Sequence, residues 1–498
     1  MSEVLAARLD ALPLLLWKTP PGLELILAQE GVAFEVVRDP RPFAFRSGRF
    51  VLFDGRRESP TAVRALLTAG HVAIDVDSHR KGEPVDPFDA LVDDRPMRGE
   101  WNVGGFTLRE RVARRPKALI RERIIGRLRE DVLARDGVWI RLAPFPHPFR
   151  SAFNLRVDLD EPLAEDYFRF ANARRPLNEC TTHFVSTAAY QAERAVLADL
   201  AGLDAQSHGH HHHVYRDGEA NLRNLERADL ILRSRGFRVE GFAAPHGRWN
   251  AALDDALEAL GYSYSSDFQI GYDDLPFFPW RGDRSSTVLQ VPVHPICEGL
   301  FLDAGAVDGR PVAEHLAAAV AEKADAGEPA FVYGHPERRL GRMPEVLSAL
   351  TATLERRPLV WRTTLTDMAR WWRFRASRKW LAIVRGPGRV EVQFDEWSGE
   401  HPLALEVFRG AFRALLPLSG PRTVVDLDSL AFERVPVPAR RAARPPAPDR
   451  RPDSWRQLVR RAIDWETVTP IDEIPDATLA DRVKKGLRRW KRQKAEAI

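Results

Sequence analysis

The sequence predicts an α/β protein whose largest part, from about residue 149 to 375, is an α/β barrel or a doubly wound sheet. A small open α/β domain precedes it, and a small β-rich module with a basic tail follows. Three observations lead there. The chain has 498 residues, too many for one hydrophobic core, since cores stop growing near roughly 250 to 300 residues. Short apolar runs alternate with 3.6-residue helical patterns, the mark of strand and helix in alternation. Within 149–375 the polar clusters fall at the ends of the apolar runs.

Taken in order, the apolar runs Leu14 to Trp17, Ala33 to Val37, Phe50 to Phe53 and Val72 to Ile74 alternate with helical patterns around Leu23–Leu27 and Val63–Leu67. They define the open α/β domain, residues 1–95, which carries no Gly-rich phosphate loop and no obvious nucleophile. Residues 96–148 are dense in arginine and are expected as a helical connector. Its stripe of Leu119, Ile120, Ile124, Ile125, Leu128, Val132 and Leu133 should pack on a domain while the arginines face water. The barrel occupies 149–375. Over 376–438, Leu381–Val384, Val390–Phe394 and Thr423–Leu427 read as short strands of an accessory module. In the last part, 439–498 with its Pro-rich approach, Val435-Pro-Val-Pro and Arg444-Pro-Pro-Ala-Pro read as extended linker. Then Leu479, Val483, Leu487 and Trp490 stand among Lys484, Lys485, Arg488, Arg489, Lys491, Arg492 and Lys494. This is a basic amphipathic helix, which by its pattern alone could dock on the protein itself, on an anionic membrane face or on nucleic acid.

Composition narrows the function classes. Hydrophobic residues at 44% and charged residues at 29%, with mean hydropathy −0.33, describe a folded, water-soluble protein. The two cysteines, Cys180 and Cys297, exclude a disulfide framework and a multi-cysteine zinc site, and make a reducing compartment the default. The first ten residues lack the basic start and apolar core of a secretory signal, and no run approaches the roughly 20 apolar residues that span a bilayer. A cytoplasmic protein is expected, with its tail peripheral to the inner membrane face. Lys+Arg 74 nearly balances Asp+Glu 70. With no zinc finger, helix-turn-helix or RNA-binding signature either, nucleic acid is not an expected partner.

The chemistry lies in five short stretches. Phe153 to Asp160 alternates strictly, so a strand sends Phe153, Leu155, Val157 and Leu159 to one face and Asn154, Arg156, Asp158 and Asp160 to the other. Two carboxylates at i and i+2 repel each other, and a cation relieves the repulsion. The stretch Gln206 to Val214 then holds five histidines. His208 and His212, four apart, converge on one ion from a helix turn or compact loop, and a carboxylate oxygen completes a three-ligand site with open positions. His210, His211 and His213 cannot all join that ion and read as surface or supporting residues. Gly241 to Asn250 ends a strand with Pro245 and Gly247, as a loop does when backbone passes close to a ligand. Tyr262 to Phe268 carries Asp267. Ala330 to Pro336 is an apolar strand ending at His335, in position to donate a proton.

In this order, each at a strand end, the five stretches resemble the motifs of the NodB-homology polysaccharide deacetylases, carbohydrate esterase family four, over about residues 150 to 375. The resemblance implies a distorted (β/α) barrel whose C-terminal strand ends hold one divalent ion, zinc first, with cobalt or nickel as substitutes. Asp160, His208 and His212 match the metal ligands, Asp158 the catalytic base, His335 the general acid, and Asp267 the acid that influences it. Pro245 and His246 lie where backbone N–H faces the oxyanion, and Trp249 and Phe268 are expected to meet substrate. Ala243 or Ala244 stands where most members carry an arginine that orients the base. Arg156, on the strand face of Asp158, is the expected replacement, with Arg248 as second candidate. The function implied is metal-dependent removal of N- or O-acetyl groups from an acetylated sugar or glycan precursor. The alternative, favoured by the absent arginine, is a catalytically impaired deacetylase-like subunit that binds glycan or serves assembly.

Overall fold

The computed structural model describes residues 10–37, 49–58, 60–68, 71–386, 388–436 and 445–449, with isolated positions between 473 and 486. The first part alternates as its sequence predicts: β1 (Asp10–Trp17), α1 (Pro21–Glu30), β2 (Phe34–Val37), β3 (Arg49–Phe53), α2 (Pro60–Thr68), β4 (Val72–Asp75) and α3 (Pro87–Val92). These strands are mutually parallel in the order β2-β1-β3-β4. Proline at the first position of α1 and Gly31 at φ 73° just past its end fix the helix boundaries, the usual asymmetry of the two residues.

Residues 96–113 depart from the expected helical connector. They form an antiparallel hairpin, β5 (Pro96–Val103) and β6 (Phe106–Ala113), turned by Gly104 and Gly105, both at positive φ. A Gly-Gly pair suits a two-residue primed turn, and the buried Gly99, Trp101, Leu108 and Val112 follow a two-residue period that the intervening arginines and glutamates mask. The helix starts later, as α4 (Lys117–Leu133), and buries Ile120, Ile124, Ile125, Leu128 and Val132 of the predicted stripe. It is followed by β7 (Trp139–Leu142).

The central part runs β8 (Ser151–Leu159), α5 (Ala164–Arg174), β9 (Thr181–Val185), α6 (Thr187–Tyr190), α7 (Arg194–Asp199), β10 (Asp204–Ser207), α8 (Gly218–Ser234), β11 (Gly241–Phe242), α9 (Ala251–Ala259), β12 (Tyr264–Ser265), β13 (Leu289–Gln290), α10 (Glu298–Asp303), α11 (Arg310–Ala326), β14 (Pro329–Gly334), α12 (Pro344–Glu355), β15 (Val360–Arg362) and α13 (Leu365–Ala376). Its strands form one parallel sheet in the order β13-β12-β11-β10-β9-β8-β14, with β15 beside the start of β8. The sheet is curled. The N–H of His294, beyond β13, donates to the Phe331 carbonyl of β14 at 2.8 Å and draws the two ends together. β8 is an interior strand, between β9 on one side and β14 and β15 on the other, and is buried on both faces along its whole length, as parallel strands covered by helices are. Its apolar face, Phe153, Leu155, Val157 and Leu159, lies in the core, each such side chain contributing about 1.5–3 kcal/mol. Its polar face must therefore find partners inside the sheet.

The strands after α13 do not form the separate module expected over 376–438. β16 (Trp380–Gly386) joins β1 antiparallel, Leu12 opposite Ala382, and β17 (Arg389–Phe394) follows. β18 (Ala404–Arg409) and β19 (Phe412–Pro417) extend β7 instead. β20 (Arg422–Asp426) returns to β17. Apolar patterning marks these segments as strands, but it does not name their partners. Of the expected Pro-rich linker, residues 437–444 lie outside the described residues, as does most of the basic tail. Leu479, Arg482, Val483 and Gly486 are helical, with Leu479 and Val483 exposed. No helix among the described residues is long and apolar enough to cross a membrane.

Buried charge ties these layers together. Glu30, at the end of α1, pairs with Arg121 of α4 and Arg141 of β7. Arg121 reaches Asp274 at 3.0 Å, and Arg141 reaches Glu406 of β18 at 2.6 Å, which also takes Arg413 of β19 at 2.9 Å. Arg375 of α13, itself buried, donates to the carbonyls of Ala143, Gln29, Glu30 and Leu142 at 2.7 to 3.2 Å. A Cβ on Gly31 would overlap that guanidinium.

Candidate metal and hydrolytic site

The polar clusters meet at the C-terminal ends of the curled sheet. Asp160 follows β8, His208 follows β10, Pro245 and His246 follow β11, Asp267 follows β12, and His335 follows β14. Nε2 of His208 stands 3.2 Å from Asp160 Oδ1, and Nε2 of His212 stands 3.3 Å from the same atom. That oxygen is buried and receives no hydrogen bond of normal geometry. Burial raises the Asp160 carboxyl, but His212 and then His208 outweigh it and hold the group well below the usual carboxylate range.

His208 shows which nitrogen faces inward. Its Nδ1 lies 2.7 Å from the Ala243 carbonyl, which can only accept, so Nδ1 carries a proton and a neutral ring turns a lone pair toward Asp160. A lone pair facing a carboxylate oxygen at 3.2 Å is stable only with a cation between them or a proton on Nε2. Two ligands each about 2.0–2.1 Å from a tetrahedral ion stand about 3.3 Å apart, which is the spacing found. The donor set of one carboxylate and two imidazoles fits a borderline divalent metal.

The histidines lie in a compact loop. Gly209 sits at φ 83°, where a side chain would be strained. Asn224 of α8 holds the turn: its Oδ1 accepts from the His211 N–H at 2.7 Å and its Nδ2 donates to the His211 carbonyl at 3.2 Å. The other histidines are engaged elsewhere: His210 Nδ1 lies 3.0 Å from Thr187 Oγ1, His211 Nε2 meets Glu473 at 2.5 Å, and the His213 ring packs on Tyr215.

Beside the cluster, Arg156 Nε and Nη2 donate to the two oxygens of Asp158 at 2.8 and 2.5 Å. The guanidinium is wholly buried between the rings of Phe184 and Tyr333, each 5.4 Å away, and Nη1 donates to the Ser266 carbonyl. Burial raises the Asp158 carboxyl, but Arg156, then His208, hold it below the usual range. Arg248, the second candidate for this task, is exposed.

Three expectations are corrected. Asp267 does not touch His335. It accepts from the Ser265 hydroxyl and, at 2.8 Å, from the Ala244 N–H, so it braces the turn that carries His246. His335 is instead paired with Glu298, Nδ1 to Oε1 2.7 Å, a residue the sequence did not single out. Its only sequence signal is a carboxylate just beyond a strand at the same edge of the sheet. Trp249 and Phe268 do not line a rim: they are 8% and 1% exposed, and Phe268 packs on Tyr333 at 5.4 Å while Gly247 leaves room for its ring. Pro245 is buried as well. His246 is exposed, at φ 59°, with its ring 4.8 Å from that of His212.

Cys297, Glu298 and His335 also converge. The 2.7 Å contact there has hydrogen-bond length, and burial, followed by Glu298, drives the Cys297 thiol upward so that it keeps its proton.

No family model matches the chain, and no curated protein matches it. Among solved structures it is similar to a protein assigned as a polysaccharide deacetylase from Mycobacterium smegmatis, at 20% identity over 46% of this chain and 92% of that one, TM-score 0.40. It is likewise similar to one so assigned from Pseudomonas aeruginosa PAO1, at 21% identity over 47% and 94%, TM-score 0.38. A third likeness is to the Puue allantoinase, at 21% identity over 47% and 93%, TM-score 0.38.

Proposed function

We propose that the chain is a metal-dependent hydrolase that removes N- or O-acetyl groups from an acetylated sugar or glycan precursor. Asp160, His208 and His212 would hold zinc, with cobalt or nickel as substitutes. The observation that carries this reading is the buried Asp160 oxygen facing two imidazole nitrogens, one of them fixed lone pair inward by Ala243. A divalent ion bound there supplies Lewis acidity and makes a nearby water more acidic.

The chain's own groups do the rest. Asp158 accepts the proton of the attacking water as oxygen bonds to the acyl carbon. Arg156 takes the place of the family's third-motif arginine, keeping Asp158 ionised and aimed. The His246 N–H, on the turn braced by Asp267, donates to the oxygen that gains charge. The C–N or C–O bond then breaks with its electron pair on the departing atom, and His335 Nε2 delivers the proton that atom needs. Acetate and the amine or alcohol leave, and solvent exchange returns a proton to His335 and takes one from Asp158. The arginine at Asp158 supports this reading over the impaired-subunit alternative.

The test is purified protein assayed for acetate release from acetylated sugars and oligosaccharides after loading with zinc, cobalt or nickel, alongside its metal content. Stoichiometric metal, release of acetate, and loss of both in His208→Ala are expected. Failure to hold any transition metal would overturn the reading.

A further inference from the structure

We propose that Glu298, through its bond to the His335 ring, is the positioning residue that aims His335 Nε2 at the departing atom. This rests on the hydrolytic reading above. Glu298 opens α10 beyond β13, and His335 follows β14. The two strands are neighbours only because the sheet curls, and the His294 to Phe331 bond marks that seam. Glu298 has no solvent exposure, and a carboxylate so placed requires donors. It finds two on one residue: Oε1 accepts from the His335 backbone N–H at 3.0 Å and from Nδ1 at 2.7 Å. Arg339 Nη1 stands further off, at 3.7 Å.

A carboxylate oxygen accepting at Nδ1 leaves the other nitrogen to face the opposite way. That nitrogen, Nε2, points to Asp160 Oδ2 at 3.6 Å, the side on which the metal ligands gather. Two bonds to a single oxygen fix the backbone and the ring of His335 together. Gly334 makes this possible, since a Cβ there would run into the Glu298 carboxylate. Asp267, the acid that motif order assigns to His335, is spent on Ser265 and Ala244. The carboxylate that meets His335 therefore comes from beyond β13 and not from the end of β12.

The consequence is confined to bond breaking. An amine departs only when protonated, whereas 4-nitrophenolate departs without a proton. Zinc-loaded wild type, Glu298→Leu and Glu298→Gln are therefore assayed on an N-acetylated amino-sugar oligomer and on 4-nitrophenyl acetate. Glu298→Leu is expected to lose about 100-fold in kcat on the amide at unchanged KM while keeping near wild-type rate on the aryl ester. Glu298→Gln, which retains an accepting oxygen, is expected to recover part of the amide rate. Equal losses on both substrates, or an unchanged amide rate in Glu298→Leu, would overturn the inference.

A second readout needs no turnover. With 15N-histidine, wild type should show a hydrogen-bonded Nδ1–H, assigned to His335 by its absence in His335→Gln and lost in Glu298→Leu. A wild-type ring unprotonated at Nδ1 overturns the inference. A wild type that hydrolyses neither substrate instead refutes the hydrolytic reading, and the Nδ1 signal still decides whether Glu298 holds the ring.

Discussion

Arg156 and Asp158 form a two-residue device whose removal separates stability from catalysis. Arg156→Ala strands a buried carboxylate, at a cost of about 3–5 kcal/mol. Arg156→Ala combined with Asp158→Asn should regain most of that stability, and neither variant should turn over, while both keep their metal. Denaturant titration, activity and metal analysis check this, and wild-type activity in Arg156→Ala would refute the role given to the guanidinium. Asp267 offers a pH test. Burial drives its carboxyl up to about 7 against the hydrogen bonds from Ser265 and Ala244. An acid raised in the folded state above its unfolded value near 3.9 stabilises fully below that value, and the contribution is lost as pH rises toward 7. Asp267→Asn should therefore flatten the stability profile between about pH 4 and 7. Parallel melting curves for the two proteins across that range would show the carboxylate ionised throughout. The Arg156 contact was legible in the sequence because strand alternation puts residues 156 and 158 on one face. The pairing of Glu298 with His335 was not, because no spacing rule connects residues at the ends of two strands that meet through curvature.

At the level of elements, the histidine loop depends on α8. Gly209 combines a positive φ with a tight approach: a Cβ would stand 2.8 Å from Asn224 Nδ2. Both Gly209→Ala and Asn224→Ala should displace His212 relative to His208 and weaken metal binding about 10- to 100-fold, as loss of an outer partner does, with little change in helix content. Competition titration against a chromophoric chelator measures it, and wild-type affinity in Asn224→Ala would show the loop to be held otherwise. The five chemistry-bearing stretches could be read because polar residues closing apolar runs mark strand ends whatever the tertiary context. The hairpin of β5 and β6 could not, because arginines and glutamates on its exposed face hide a two-residue period inside a stretch that otherwise scores as charged helix.

Across the whole molecule, Glu30 and Arg375 join parts distant in sequence. Glu30→Ala leaves Arg121 and Arg141 without their shared carboxylate, and Arg375→Leu uncaps carbonyls at the end of α1, where a cation is also favoured by the helix dipole. Each should destabilise by roughly 3 kcal/mol or more and open the layer between β1 and the barrel to protease before the barrel itself is cut. Limited proteolysis followed by mass spectrometry tests the order, and simultaneous cleavage throughout would mean that the layers unfold together. Strand content was legible here from apolar runs, while strand partnership was not, since Leu12 and Ala382 carry nothing in their neighbours that announces one another.

That pairing has a consequence for synthesis. At roughly 5–20 residues per second, β1 emerges from the ribosome tens of seconds before β16, and until then the start of β1 around Leu12, ahead of the stretch that β2 covers, keeps unclaimed amides on that side. Such an edge recruits any passing strand. The nascent chain must be shielded through that interval, and a gene cut anywhere between the two strands should yield a product that associates with itself.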